Sequence, residues 1–255
     1  MRHLRLVAQG LALPLLLVGA WWWVSADSTS PYFPPLREIV AEFADTWLFT
    51  GIRDVLLPTL GTFLAGYSIA IVAGVVLGVA LAANDAVAGF LAPLLEFLRA
   101  LPPIALVPAF ISVLGLGEEM RISAVVFASI WPVLLNTIDG VRGVDVVIRD
   151  SVTVFRVPRA QRLLFVTLPG ASPQIVAGVR VGLALSLIAV IVTEMVTSAD
   201  GVGAFSRSAQ LSFDLPAMWT AIILMGFVGY TLNLLFDRLE KRTLRWHLRM
   251  REPAS

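Results

Sequence analysis

Cysteine is absent from the 255 residues, so the chain can hold neither a disulfide nor a thiolate metal site. Histidine is nearly absent: His3 and His247 stand at opposite ends in basic segments, leaving no internal imidazole as general base for a buried serine nucleophile. The single lysine, Lys241, follows Glu240 rather than glycine, which rules out a G-x-x-x-x-G-K-[ST] phosphate loop. The chain is therefore not expected to hydrolyse ATP, and no catalytic, metal or cofactor site is expected of it. Net charge is +1 and no basic run is interleaved with aromatics, so nucleic acid is not an expected partner. Charge of either sign is scarce, at 15% of residues against about 25% in soluble domains.

What fills the chain instead is apolar, 58% of it. Runs with little or no charge cover Leu6 to Val24, Val55 to Asn84, Ala100 to Gly117, Ile122 to Ile138, Ile175 to Ser198 and Leu215 to Phe236. A hydrocarbon core takes roughly 20 helical residues, so these predict six spans in an all-α, polytopic transmembrane bundle. The basic residues divide unevenly across such a bundle. With the N-terminus inside, Arg2, Arg5, Arg99, the five arginines of 139–172, Arg180 and the six basic residues after Phe236 are internal. Only Arg37, Arg53, Arg121 and Arg207 are external. The positive-inside rule then puts both termini in the cytoplasm of a multi-pass protein of the inner (plasma) membrane, in contact with lipid. Met1 to Ala26 also fits a cleavable signal, with a cut before Asp27 leaving five spans, although Trp21-Trp22-Trp23 suits a permanent interfacial anchor.

The chain divides into a first transmembrane helix and start of the external segment (1–29), an external segment with an amphipathic helix (30–57), a transmembrane core with a cytoplasmic loop at 139–172 (58–237) and a basic cytoplasmic tail (238–255). Leu36, Ile39, Val40, Phe43 and Trp47 recur at helical spacing, as in a helix lying on the outer surface or a short one packed on the spans. Gly74-Val-Val-Leu-Gly78 is a small-xxx-small pattern that admits another helix closely, from this chain or a second. Leu101-Pro102-Pro103 and Pro108 must interrupt or kink the third region, where backbone donors are missing. Irregular backbone at membrane depth persists where it is buried or lines a cavity. Arg180 and Glu194 lie 14 residues apart, on one helix face but about 21 Å apart along the axis, too far to pair. Arg180 suits a snorkel to the inner headgroups, and Glu194 a gating or external-contact position.

The long polar loop 139–172 is the most informative stretch. It carries Arg142, Arg149, Arg156, Arg159 and Arg162 against Asp139, Asp145 and Asp150. It reads as two short amphipathic helices broken at Val157-Pro158. Asp145 is the expected N-cap of the first, Val147, Ile148, Val152 and Phe155 its apolar side, Pro158 opens the second, and Leu168-Pro169 and Pro173 close the loop.

From about Ser30 to Met250 the chain resembles the inner-membrane permeases of ABC importers for sulfonates, taurine, nitrate, bicarbonate and related small solutes. The residues that carry the likeness are Leu98-Arg-Ala-Leu-Pro-Pro-Ile-Ala-Leu-Val-Pro108, Pro132-Val-Leu-Leu-Asn-Thr137, Gly140-Val-Arg-Gly-Val-Asp145, Arg159-Ala-Gln-Arg162 with Leu168-Pro169, and Glu194-Met195. The resemblance implies a type I ABC importer permease that dimerises, as a homodimer or with a relative, around a central path. It also implies a pair of ATPase subunits below and an extracytoplasmic solute-binding protein above. ATP is then used by the partner, whose closure would move the 139–172 loops and swing the gate from inward-open to outward-open.

On that likeness the ATPase-coupling residues are Asp150, Ser151, Val152, Phe155, Arg156, Arg159, Arg162, Leu168 and Pro169. The translocation-pathway residues are Pro102, Pro103, Pro108, Asn136, Ser186 and Glu194. Two departures stand out: Asp150-Ser151-Val152 replaces the family's acid and two alanines, and Arg156 stands where glycine is expected. The rival reading, a secondary transporter or channel working alone, would call for midmembrane acids or matched halves with broken helices, and the sequence has neither. An intramembrane enzyme is disfavoured by the histidine count.

Overall fold

A computed structural model of the protein describes residues 2–197 and 200–244; the basic residues Arg245, Arg249 and Arg251 of the tail, with His247, lie outside them. Among the described residues the chain is helical throughout, and its helices follow from local chemistry. The first, α1 (Arg2–Ser25), leads through a short connection into α2 (Leu36–Thr46). A π-helical stretch, Trp47–Leu56, joins α2 to α3 (Leu57–Ala82). Asn84 then caps α4 (Asp85–Ala100) by accepting the Ala86 and Val87 N–H groups at 3.1 and 3.2 Å.

The third region breaks where proline dictates. Leu101, ahead of Pro102, is extended (φ −70°, ψ 125°), and a 3₁₀ turn at Pro103–Leu106 leads into α5 (Val107–Leu114). The two halves, Asp85–Ala100 and Pro103–Leu114, meet at a 90° bend. The interruption expected at these prolines is present, and the apolar run Ala100 to Gly117, counted as a span of its own, is half of a broken pair that begins at Asp85. Among the described residues four helices are long and apolar enough to cross a membrane: Thr50–Ala82, Glu118–Arg142, Arg159–Thr197 and Leu215–Thr243. The bent pair makes a fifth at most, against the six predicted; in α1 the apolar stretch whose side chains are described is the shorter Ala12–Ser25.

Three helices form the centre: α3, α6 (Glu118–Arg142) and α9 (Leu168–Thr197). Lipid chains are as apolar as leucine, so close packing rather than expulsion from water must hold such helices together. The Gly74-to-Gly78 stripe supplies it within the chain. A Cβ on Gly78 would stand 2.6 Å from Thr137 Cβ, and one on Gly178 of α9 2.5 Å from the Pro132 carbonyl oxygen, so α6 is gripped from both sides. Phe63, Tyr67, Val125, Ala128, Leu183, Ala189 and Val190 fill the space between, and the Tyr67 hydroxyl donates to the Val179 carbonyl at 2.7 Å. Outward faces stay apolar, with Val72, Val76, Ile188 and Phe227 exposed, as a lipid-facing surface should be.

The end of the bundle opposite the 139–172 loop is covered by α2 and the short α10 (Val202–Leu211), which leads into α11 (Leu215–Thr243). The apolar stripe of α2 turns inward: Ile39 and Trp47 are fully buried, and Trp47 Nε1 donates to Thr220 Oγ1 of α11 at 2.9 Å. The packed alternative, not the surface-lying one, is the one adopted. Trp21 of α1 joins this layer, its ring 5.5 Å from Trp219 and 6.0 Å from Phe33.

Candidate functional site

Between α6 and α9 the chain leaves the bundle and returns. Val144, 7% exposed, pins the departure against Gly170 at the foot of α9. Asp145 then caps α7 (Val146–Val154) as its sequence foretold, accepting the Val147 N–H at 2.7 Å. The end of α7 is closed by two reversed bonds: Arg156 N–H to the Thr153 carbonyl at 3.1 Å and Val157 N–H to the Val152 carbonyl at 3.0 Å. This is a Schellman turn, and its C′ residue must take the left-handed conformation that glycine adopts at least cost. Arg156 takes it, with φ +51°. The geometry that glycine would give is kept, with a cation in its place.

Pro158 opens the return as expected, ahead of α8 (Arg159–Arg162). The second loop helix, however, does not end at Leu168-Pro169. A π-helical stretch, Leu163–Thr167, carries α8 without a break into α9, so Arg159–Thr197 is one helical run. Widening to π lets the Leu168 N–H reach the Leu163 carbonyl just before Pro169, which has no donor. Pro173 likewise leaves the Pro169 carbonyl without its helical partner, and Ser172 Oγ donates to it at 2.8 Å. Leu168-Pro169 and Pro173 thus shape the foot of α9 and do not close the loop.

The junction is exposed and largely without partners. Val147 is 71% exposed, Val154 77% and Phe155 80%, so α7 presents apolar side chains at the end of the bundle. Asp150, Ser151, Arg156 and Arg159 are exposed, while Val152, Arg162, Leu168 and Pro169 are half-buried. Among the described residues, ion pairs form elsewhere: Arg142 with Asp85 at 2.9 Å, and Arg180 with both Asp237 and Glu240. Arg180 also lies over the Phe236 ring, 5.3 Å from its centre. It ties α9 to α11 instead of snorkelling alone.

The six expected pathway residues do not come together. Pro103 lines a cavity of about 110 Å³ with Ile104, Val107, Ala128, Ile188 and Thr193, between the broken pair and the α6–α9 centre. Pro102 and Pro108 are exposed beside it. Asn136 donates to the Pro132 carbonyl of its own helix at 2.8 Å, and Ser186, fully buried, to the Leu183 carbonyl at 2.8 Å. Glu194, fully buried too, serves α10: its Oε2 accepts the Gly203 N–H at 2.9 Å and the Thr59 hydroxyl at 3.0 Å, while Thr59 accepts the Val202 N–H at 2.9 Å. A carboxylate at a helix N-terminus satisfies donors that the helix itself cannot. Gly201, at φ +145°, lets the chain pass the carboxyl group, where a Cβ would stand 2.3 Å from its carbon.

Sequence reasoning missed Thr59, Gly201 and Gly203 as partners of Glu194, and nothing local marks them. The Asp237 and Glu240 partners of Arg180 left a faint signal, two acids three residues apart at the basic end of an apolar run.

Comparison with known proteins supplies the context. The family described as "Binding-protein-dependent transport system inner membrane component" matches residues 70–245. The taurine transport system permease protein TauC of Escherichia coli (strain K12) is 27% identical over 250 residues, 95% of this chain and 91% of that protein. The bicarbonate transport system permease protein CmpB of Synechococcus elongatus is 33% identical over 185 residues, 72% of this chain and 65% of that protein. In fold, the chain is similar to a chain of the MetNI methionine ABC transporter in an inward-facing conformation. The TM-score is 0.65 at 17% identity, covering 75% of this chain and 95% of that one.

Proposed function

Because the chain belongs to the family of binding-protein-dependent transport system inner membrane components, we propose that the α7–α8 junction is where a separate ATPase subunit drives its transport cycle. The protein is the membrane-spanning permease subunit of an ATP-driven ABC importer, a system that an ATPase and a solute-binding protein complete. Both termini face the cytoplasm, which puts the junction on the cytoplasmic side and α2 and α10 outside. Two copies enclose the path, and the solute is small, of the sulfonate, taurine, nitrate or bicarbonate kind carried by the relatives' systems.

One observation carries the coupling assignment. A capped helix of nine residues, closed by a complete Schellman turn, holds Val154 and Phe155 some four-fifths exposed away from the membrane bundle. Apolar side chains in water on so well formed an element fit a partner's pocket. The return limb runs without a break into a central span, so a displacement of the junction reaches α9 as a rigid rotation or shift. Asp150, Ser151, Val152, Arg159 and Arg162 flank the apolar tip, and Leu168 with Pro169 forms the stiff foot.

Copurification tests this directly. An ATPase subunit should be retained by the parent and lost from Phe155→Asp and Asp150→Arg, while both variants still insert. Retention of the ATPase and normal uptake in both would remove the coupling role. Reporter fusions after Asp27, Gly117 and Asp200 should read external, and those at Asp85, Val157 and Ser255 internal; an external C-terminus would overturn the orientation.

A further inference from the structure

The left-handed residue of the α7 turn is an arginine, and the fold itself gives no reason for it. A non-glycine side chain in this conformation costs about 1 kcal/mol, and such strain persists where something outside the local chain compensates it. Arg156 is exposed and, among the described residues, makes neither an ion pair nor a side-chain hydrogen bond. Exposed Arg159 and half-buried Arg149 and Arg162 likewise form no ion pair among the described residues, so the junction that carries Val154 and Phe155 holds four unpaired cations. Asp145 is committed to capping α7, which leaves Asp150 as the junction's free carboxylate. Where a cation does serve this fold, as at Arg142 and Arg180, an acid from another helix is supplied. The attraction of Arg156 for the negative end of α7 does not explain its position, since a cation in the last helical turn gains as much without the left-handed cost.

We infer that Arg156 is a partner-selecting charge: the ATPase surface that receives α7 presents carboxylates around an apolar pocket, and Arg156 distinguishes a charge-matched ATPase from an unmatched one. The inference rests on the reading of the junction as the ATPase docking site and adds the chemistry of the surface it meets. Phe155 supplies the apolar anchor and Arg156, adjacent and held on the outside of the turn, supplies discrimination. Complementary charge mainly sets which partner docks and how fast, while a mismatched charge at the same place repels.

The test is an affinity titration of the copurifying ATPase subunit against the full permease in nanodiscs of neutral lipid, at low and high ionic strength. Arg156→Glu should weaken binding roughly 10-fold to 100-fold at low salt and much less at high salt, as a screened charge contact requires. Arg156→Gly cannot fail by misfolding, because it relieves the strained φ; it should weaken binding by a smaller factor and flatten the salt dependence. Superimposable curves for parent and Arg156→Glu, with Phe155→Asp still abolishing binding, would overturn the inference alone. Unchanged binding in Phe155→Asp would overturn the docking reading and the inference with it. An effect of Arg156→Glu seen only when the nanodisc lipid is made anionic would assign the contact to headgroups and overturn the ATPase assignment.

Discussion

The two ends of the central bundle are built from the same parts and finished in opposite ways. Each carries a short helix, α7 at one end and α10 at the other, closed by a Schellman turn whose left-handed residue is not glycine: Arg156 at φ +51° and Phe213 at φ +60°. At the α10 end the fold satisfies the helix N-terminus itself, although Leu211 and Phe213 beyond it stay exposed. Glu194 and Thr59 take the free N–H groups of α10, Trp47 of the α2 layer is bonded to Thr220, and Ile39 lies beneath. At the α7 end, among the described residues, almost nothing contacts the helix beyond its own caps. An end that is satisfied internally reports on the fold, whereas an end left open among the described residues at comparable local order leaves a surface for something else to cover.

The comparison breaks most sharply at the α10 end. Gly201→Ala should be the most damaging change, since it joins a backbone conformation rare for L side chains to a contact of 2.3 Å with the Glu194 carboxyl carbon. A loss of roughly 2–5 kcal/mol is expected, read as a lower melting temperature in detergent and reduced membrane yield. Glu194→Ala follows, stripping the Gly203 N–H and the Thr59 hydroxyl of their acceptor at about 1–3 kcal/mol each. Glu194→Gln keeps one acceptor oxygen and should recover most of the loss; a Gln variant as unstable as Ala would mean that charge rather than geometry holds α10.

At the α7 end the expected pattern inverts. Phe155→Asp should leave melting within about 0.5 kcal/mol of the parent, as changes at exposed positions do, and still abolish ATPase-dependent uptake. A large stability loss there would make α7 part of the fold after all. Between the two ends, Arg180→Ala should cost about 1 kcal/mol or less, because Arg180 and its partners remain partly solvated. The smallest effect is a gain: Arg156→Gly should raise the permease's own melting midpoint by the equivalent of about 1 kcal/mol, by releasing the left-handed cost. Higher stability with weaker ATPase binding in a single variant would mark a position where folding and coupling make opposite demands.

The α7 junction was far more legible in the sequence than the α10 end. Asp145 announces its helix, because a short acidic side chain reaches the N–H of a residue two positions on. Leu101-Pro102-Pro103 announces the break, because the donors are missing and the residue before proline avoids helical geometry. The same reasoning failed at the foot of α9. Leu168-Pro169 reads as a stop, yet a π-helical widening and the Ser172 hydroxyl absorb the missing donors, and the helix continues. The pathway set is scattered in the single chain for a different reason: Asn136, Ser186 and Glu194 are polar residues in apolar runs, and their bonds go to helix carbonyls or to α10.

By itself the sequence determined the apolar helices, their caps and breaks, the polar junction between α6 and α9, and the absence of a G-x-x-x-x-G-K-[ST] motif. Those features follow from run length, side-chain reach over a few residues and residue types that are simply missing. Tertiary structure decided the rest. It chose α6 as the helix that the Gly74-to-Gly78 stripe grips, gave Arg180 its acids 57 and 60 residues away, and brought Thr59 to Glu194 across 135 residues. No local rule reaches that far, because in a lipid-facing bundle nearly every helix face is apolar and hydropathy alone does not say which face meets which. Steric fit of small residues and the satisfaction of the few buried polar groups choose among them.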